Sequence, residues 1–317
     1  MKKIVLILPY FGTFPNYFNL WLESVRNNPS IDFLIFSDNK DPFQSNRPKN
    51  IIFKHIEFRD FAALTQEKFP FKISLCSAYK LCDYKPAYGH IFNEEIKEYD
   101  FWGYCDCDLI FGNIRKFLTE DILSAHDKIL IRGHLTLVRN NQKMNELFMA
   151  KINGCPYYKD VYTDSKNRTF DEASGFTTMA EKEGSIKIYD EMLFDDINIA
   201  MKQFMASQKW KRGDENVWLG SVYRYDSKGL YKIRLKDNQF MEEEILYVHF
   251  QKRDMTVDLT SEQISYGFLI VPNRFIEIPK ELSKLKYIYY ARFRFVYLKY
   301  WKIRYKNMVK KIKSRIK

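Results

Sequence analysis

Acidic residues are absent from Ser283 to Lys317, a segment that holds thirteen Lys or Arg. The chain carries +11 overall, and subtracting the segment's +13 leaves the first 282 residues at −2. The basic character is therefore a tail on a nearly neutral body, which argues against a body built to bind nucleic acid. Glycine is sparse, at 12 in 317, and there is neither a G-x-G-x-x-G nor a P-loop, so the dinucleotide fingerprint and the phosphate cradle are both missing. The five cysteines are odd in number and never spaced C-x-x-C, which fits reduced thiols in a cytoplasm better than disulfides or a zinc site. No apolar run approaches the roughly 18 residues of a membrane-spanning helix. The opening "MKKIVLILPYFGTF" imitates a signal peptide, but the run stops at Pro9 with no small-residue cleavage site behind it, and it reads as a first strand.

What is present is a core. Hydrophobic residues make up 46% and aromatics 17% of the 317 residues, which excludes a disordered chain and suits one large domain or two small ones. The first half alternates strand-like runs with helical stretches. "KIVLIL", "IDFLIFSD", "NIIFKHI", "FWGYCD" and "KILIRGHLTLV" read as strands, "YFNLWLESVRN" as a helix, and "KPAYGHIFNEEIKEY" as a helix entered by Pro86. Such alternation predicts an α/β fold with a mostly parallel twisted sheet flanked by helices, whose ligands gather at the carboxyl ends of the strands. From Asn153 to Lys211 the pattern turns irregular, as in a substrate-covering insertion with short helices; "GLYKIRL" and "EEILYVHF" then return to strand character. A change of composition near Pro279 divides a catalytic domain, 1–279, from a tail, 280–317.

The chemistry concentrates at "YDFWGYCDCDLIFGNI". Asp106 and Asp108 stand two residues apart at the end of an aromatic strand, and share a side if the extended geometry persists. Like charges so placed repel unless a divalent cation uses their oxygens, and Mg²⁺ or Mn²⁺ held this way completes its shell with substrate phosphate. In "LYVHFQKRDM", His249 at a strand end is a possible third ligand, and Lys252 and Arg253 could neutralise a diphosphate. Asp83 and Lys85, at the start of the predicted helix, could meet a nucleotide, although Asp83 could equally be a cap. Asp171 and Glu172 of "RTFDEASG" are the catalytic candidates, able to deprotonate or bind an acceptor hydroxyl. Asp214 and Glu215 of "KRGDENVW" read as a helix cap. His134 in "RGHLTLVRN" either faces the acceptor or satisfies a core hydrogen bond.

These residues, in this order, resemble metal-dependent nucleotide-sugar glycosyltransferases of the GT-A fold. "CDYKPAYG", "FWGYCDCDLIFGNI" and "GHLTLVRN" are similar to bacterial transferases of capsule and O-antigen polysaccharide synthesis. The resemblance covers roughly Lys3 to Arg253. It implies that Asp106 and Asp108 join a metal to the diphosphate of a UDP-sugar, with Asp106 also near the ribose. Retaining members carry "HFxGxxKPW", with the His on the metal and the Lys on the diphosphate. His249 and Phe250 match that pattern, favouring retention over inversion, while its glycine and "KPW" are not matched here, which leaves Lys252 as a candidate diphosphate ligand. The implied reaction moves a sugar, galactose by the same resemblance, to a glycan or lipid-linked oligosaccharide.

From Leu298, the residues Leu298, Trp301, Tyr305, Met308, Val309, Ile312 and Ile316 fall within about a 100° arc at 100° per residue, with lysines and arginines on both flanks. That pattern predicts a basic amphipathic helix on an anionic membrane surface, and hence a cytoplasmic, peripheral enzyme at the inner face of a bacterial plasma membrane. A docked C-terminal helix is the plainer alternative. A metal-dependent phosphohydrolase or nucleotidyltransferase would also use paired aspartates, but needs more carboxylates than are evident here. A non-enzymatic membrane or nucleic-acid binding protein would leave Asp106 and Asp108 without purpose.

Overall fold

The computed structural model describes residues 1–40, 42–43, 46–207, 219–292, 301–305 and 308–309. Asp214 and Glu215, and most of the predicted amphipathic helix, lie outside these residues. Among the described residues no helix is long and apolar enough to cross a membrane. The chain forms two compact units, each assembled from segments distant in sequence.

The first unit comprises Met1–Phe14, Asn28–Cys107 and Leu118–Glu191. Its seven-stranded sheet runs Ile51–His55, Ile31–Ser37, Ile4–Pro9, Phe101–Cys105, Leu135–Arg139, Lys128–Arg132, Ile188–Tyr189. The first four strands are mutually parallel, which is the α/β arrangement expected from the alternating runs. "IVLILP" and "FWGYC" are apolar without alternation because both faces of these central strands are buried. On one face Val5, Ile7, Leu34, Phe36, Trp102 and Tyr104 enter a core with Phe61, Tyr84, Phe92 and Tyr162. Phe36 stacks on Phe92 at 4.8 Å between centroids and Tyr84 on Tyr162 at 4.3 Å. Each such pair adds about 0.5–1.5 kcal/mol beyond area burial.

Two readings of the sequence need correction. "KILIRGHLTLV" is not one strand but a hairpin, with Lys128–Arg132 and Leu135–Arg139 antiparallel and a bulge between Ile129 and Arg132. Gly133 and His134 make the turn, and Leu130 takes a left-handed φ of 63°. The predicted helix entered by Pro86 is a 3₁₀ run, Ala78–Ala87, followed by the short helices Tyr88–Ile91 and Asn93–Ile96. Asp83 and Lys85 therefore lie inside a helical run rather than at its start. Both side chains are buried, and the 3₁₀ run tolerates Pro86 near its end.

The second unit comprises Pro15–Asn27, Asp108–Phe117 and Met192–Lys317. It holds a three-stranded sheet in the order Leu109–Phe111, Tyr247–His249, Asp195–Asp196. A six-stranded sheet follows the order Gln239–Glu244, Gly229–Lys236, Val222–Asp226, Phe268–Val271, Arg274–Ile276, Thr256–Asp258. Helix Phe18–Arg26 buries Leu20, Trp21 and Val25. Leu20 packs with Ile110, Tyr223, Tyr225, Phe250 and Phe275 in one core. Helix Lys284–Arg292, the first helix of the basic segment, docks through Tyr287, whose hydroxyl donates to the Gly220 carbonyl at 2.7 Å.

Gly103 in strand Phe101–Cys105 has no room for a side chain. A Cβ there would overlap the Thr136 carbonyl oxygen and lie 2.7 Å from the Leu137 side chain. Gly103→Ala is expected to cost about 1–3 kcal/mol, by analogy with overpacked cores. A urea unfolding curve would show this as a lowered midpoint; an unchanged midpoint would refute the close approach.

Candidate active site

Lys85 organises the polar centre of the first unit. Its ammonium is 2.8 Å from Asp106 Oδ1 and 3.3 Å from Asp171 Oδ2, and it donates to the Gly133 carbonyl at 2.8 Å. It also lies 5.6 Å from the centre of the Tyr104 ring. Burial disfavours its charge, but the carboxylates of Asp106 and Asp171 outweigh that cost and hold it well above the usual lysine range. Asp171 shifts the other way. Burial, then the neighbouring charges of Glu172 and Asp106, push it up to about 7 despite Lys85. Carboxylates outnumber the single ammonium here, so the group has a surplus of negative charge.

The hairpin turn shapes this centre. The Asp106 amide donates to the His134 carbonyl at 3.0 Å, extending the ladder one residue beyond Cys105. A Cβ on Gly133 would stand 2.6 Å from Asp171 Oδ2 and 2.9 Å from Glu172 Oε1, so only glycine leaves these two carboxylates their places. The His134 side chain is buried. Asp83, by contrast, turns away from Lys85. It is fully buried, pairs with Lys80 at 2.7 Å, and accepts the amides of Arg168 at 2.8 Å and Phe170 at 2.9 Å. Lys80 in turn donates to the carbonyls of Val161 and Lys166 at 2.9 and 2.6 Å. One buried ion pair thus ties the segment leading into Asp171 to the run that carries Lys85.

In the second unit, Asp108 precedes strand Leu109–Phe111, which pairs antiparallel with Tyr247–His249. The bend at Cys107 and Asp108 ends the extended geometry expected to continue from Asp106. His249 Nε2 lies 3.3 Å from Asp108 Oδ1. Asp108 Oδ2 accepts the Lys252 amide at 2.6 Å. Burial works against the charge of His249, but Asp108 and then Asp196 raise it to about 10. Burial likewise opposes ionisation of Asp108, yet His249 and the Lys252 amide draw it down to about 2.

Gln251 and Lys252 have φ of 50° and 56°, the left-handed region that favours glycine. This turn aims the Lys252 amide at Asp108. The Lys252 side chain is exposed. Arg253, expected beside a diphosphate, is instead only 1% exposed. Its Nε donates to Asn273 Oδ1 at 2.5 Å, its Nη2 to the Met201 carbonyl at 3.0 Å, and its guanidinium lies over Phe204.

Among the predicted residues, then, Lys85, Asp106, Asp171 and Glu172 come together in one unit, and Asp108, His249 and the Lys252 main chain in the other. Asp196 is not among the predicted residues, yet its Oδ1 lies 2.8 Å from His249 Nδ1. Its signal was available: "FDDIN" is an adjacent acid pair inside an apolar frame, like the pair at Asp171 and Glu172.

Several solved glycosyltransferase structures resemble this one weakly. Galactosyltransferase LgtC, in complex with donor and acceptor sugar analogs, is 11% identical, with 79% of this chain and 88% of that one covered at a TM-score of 0.38. Mouse xyloside xylosyltransferase 1 in its apo form is 11% identical, with 79% and 98% covered at 0.38. The apo form of glycosyltransferase GlyE from Streptococcus pneumoniae TIGR4 is 11% identical, with 80% and 55% covered at 0.40. No curated protein matches the sequence. The model of one family does match, over residues 6–279, and a match of that extent decides membership: the chain belongs to the family described as "Family of unknown function (DUF6625)".

Proposed function

We propose that this chain is a divalent-metal-dependent glycosyltransferase of GT-A type, moving a sugar from a UDP-sugar to a glycan or lipid-linked oligosaccharide. The observation that carries the reading is the buried pairing of His249 Nε2 with Asp108 Oδ1 at 3.3 Å, two residues along the chain from Asp106. A carboxylate oxygen beside an imidazole nitrogen suits Mn²⁺ or Mg²⁺ chemically. We assign Asp106, Asp108 and His249 as the ligands. When bound, the cation supplies charge to offset the departing diphosphate.

The chain's own groups have distinct parts. Lys85 holds Asp106 in place and brings a permanent positive charge beside it. The turn at Gln251 and Lys252 fixes Asp108 through a main-chain amide, and the exposed Lys252 side chain is the candidate to meet phosphate oxygens. Asp171, poised near neutrality, can give or take a proton, and the half-buried Glu172 beside it can accept from sugar hydroxyls. Galactose as the sugar, retention at its anomeric carbon, and action at the inner face of a bacterial membrane in capsule or O-antigen synthesis complete the proposal. The matched His249–Phe250 and the basic segment after Ser283 support these finer points.

Calorimetric titration of UDP into the full chain tests the donor site. Binding is expected with Mn²⁺, and at least about tenfold weaker with EDTA or in Asp108→Ala, since losing even a hydrogen-bond partner of a metal ligand costs about 10–100-fold. No binding under any condition would sink the UDP-sugar reading.

Asp171 gives a test that needs no substrate. Its folded-state affinity for a proton exceeds that of an ordinary carboxyl, so the folded state binds more protons between pH about 4 and 7, and stability falls as pH rises through that window. A shift of this size corresponds to up to about 4 kcal/mol. Asp171→Asn removes the dependence, leaving Lys85 paired with Asp106. Thermal unfolding should therefore show the variant gaining on the wild type between pH 5 and pH 8. Parallel curves would mean that Asp171 is ionised throughout.

A further inference from the structure

We propose that Asp196 is the positioning residue of His249, holding the imidazole by Nδ1 so that Nε2 faces Asp108. The cation half of this inference rests on the metal-dependent reading above; the orientation half does not.

The geometry assigns the proton. Asp196 Oδ1 lies 2.8 Å from His249 Nδ1, and Asp196 Oδ2 accepts from Gln251 Nε2 at 2.7 Å. An ionised carboxylate only accepts, so Nδ1 must carry hydrogen toward it. Nε2 is then the atom left at 3.3 Å from Asp108 Oδ1. Flipping the ring would forfeit the Asp196 bond and present carbon where nitrogen is needed.

The anchoring of Asp196 explains how so short an element can do this. Strand Asp195–Asp196 has two residues, paired parallel with Val248 and His249 in register, and the Ile197 amide donates to the His249 carbonyl at 2.9 Å. Successive side chains of a strand point to opposite faces. Asp195, on the far face, is buried, 2.6 Å from the Lys232 ammonium and 2.8 Å from the Tyr223 hydroxyl, which donates to it. Lys232 and Tyr223 sit on adjacent strands, directly opposite each other. A buried charge pair on one face thus fixes the backbone from which Asp196 reaches His249 on the other. Asp–His hydrogen bonds of this kind set imidazole orientation at metal sites generally, and their loss weakens metal binding about 10–100-fold.

The test uses the full chain with Mn²⁺ as the probe, in wild type, Asp196→Ala and Asp196→Asn. Calorimetry should show Mn²⁺ binding weakened about 10–100-fold in Asp196→Ala. Asp196→Asn, whose amide oxygen can still accept from Nδ1–H, should retain most of the affinity. A second readout needs no metal: proton NMR with ¹⁵N-labelled histidine should find a hydrogen-bonded His249 Nδ1–H resonance in the wild type. It should be lost in Asp196→Ala and moved upfield in Asp196→Asn. Equal Mn²⁺ affinity in the wild type and Asp196→Ala, or a resonance unmoved in both variants, overturns the proposal. Should Asp196→Ala fail to fold, the Asp196→Asn resonance alone decides. A wild type that binds no Mn²⁺ but shows the expected resonance changes would remove the metal reading and leave the positioning role standing.

Discussion

The Lys85 ammonium is buried among two carboxylates and a carbonyl, and much of the first unit can be read as the means of keeping it there. An isolated buried cation would be expelled or neutralised; this one is retained because three chain segments bring it acceptors. The 3₁₀ run supplies the lysine, strand Phe101–Cys105 ends at Asp106, and the hairpin turn contributes Gly133 together with the space in which Asp171 sits. The Lys80–Asp83 pair, one turn earlier, secures the segment that delivers Asp171. Remove the ammonium and the excess carboxylates would repel one another.

The second unit solves a similar problem with different parts. There the cationic partner of the carboxylates is an imidazole, and the supporting structure is an ion pair behind a two-residue strand. Both arrangements place a positive or ionisable nitrogen beside an aspartate of the Asp-Cys-Asp stretch, and both hold the side chain that carries it by a second acceptor, the Gly133 carbonyl for Lys85 and Asp196 for His249.

Much of this was legible in the sequence. The central strands announce themselves because burial on two faces demands uninterrupted apolar runs, as in "IVLILP". Asp106, Asp108 and His249 were visible because a charged or ionisable residue closing such a run is chemically conspicuous. The hairpin at Gly133 was hidden by apolar residues on both sides of a two-residue turn. Asp83 and Arg253 were misread because a charged side chain in sequence gives no sign of how many acceptors or donors the fold will collect around it. Asp196 was overlooked because a strand of two residues has no periodicity to detect. The antiparallel strands of the second unit, three to eight residues long, carry little more.

The segmentation of the second unit also bears on how the chain comes to be folded as it is made. Helix Phe18–Arg26 buries its apolar face in a unit whose remaining strands come much later, and the Asn27 amide donates to the Tyr225 hydroxyl at 2.6 Å across 198 positions. Asn16 waits longer still, for the Met255 carbonyl 239 positions on. At about 5–20 residues per second, a ribosome leaves Leu20 without Tyr223 and Tyr225 for roughly 10–40 seconds. The helix is thus made early, and most of the core that covers it is made last.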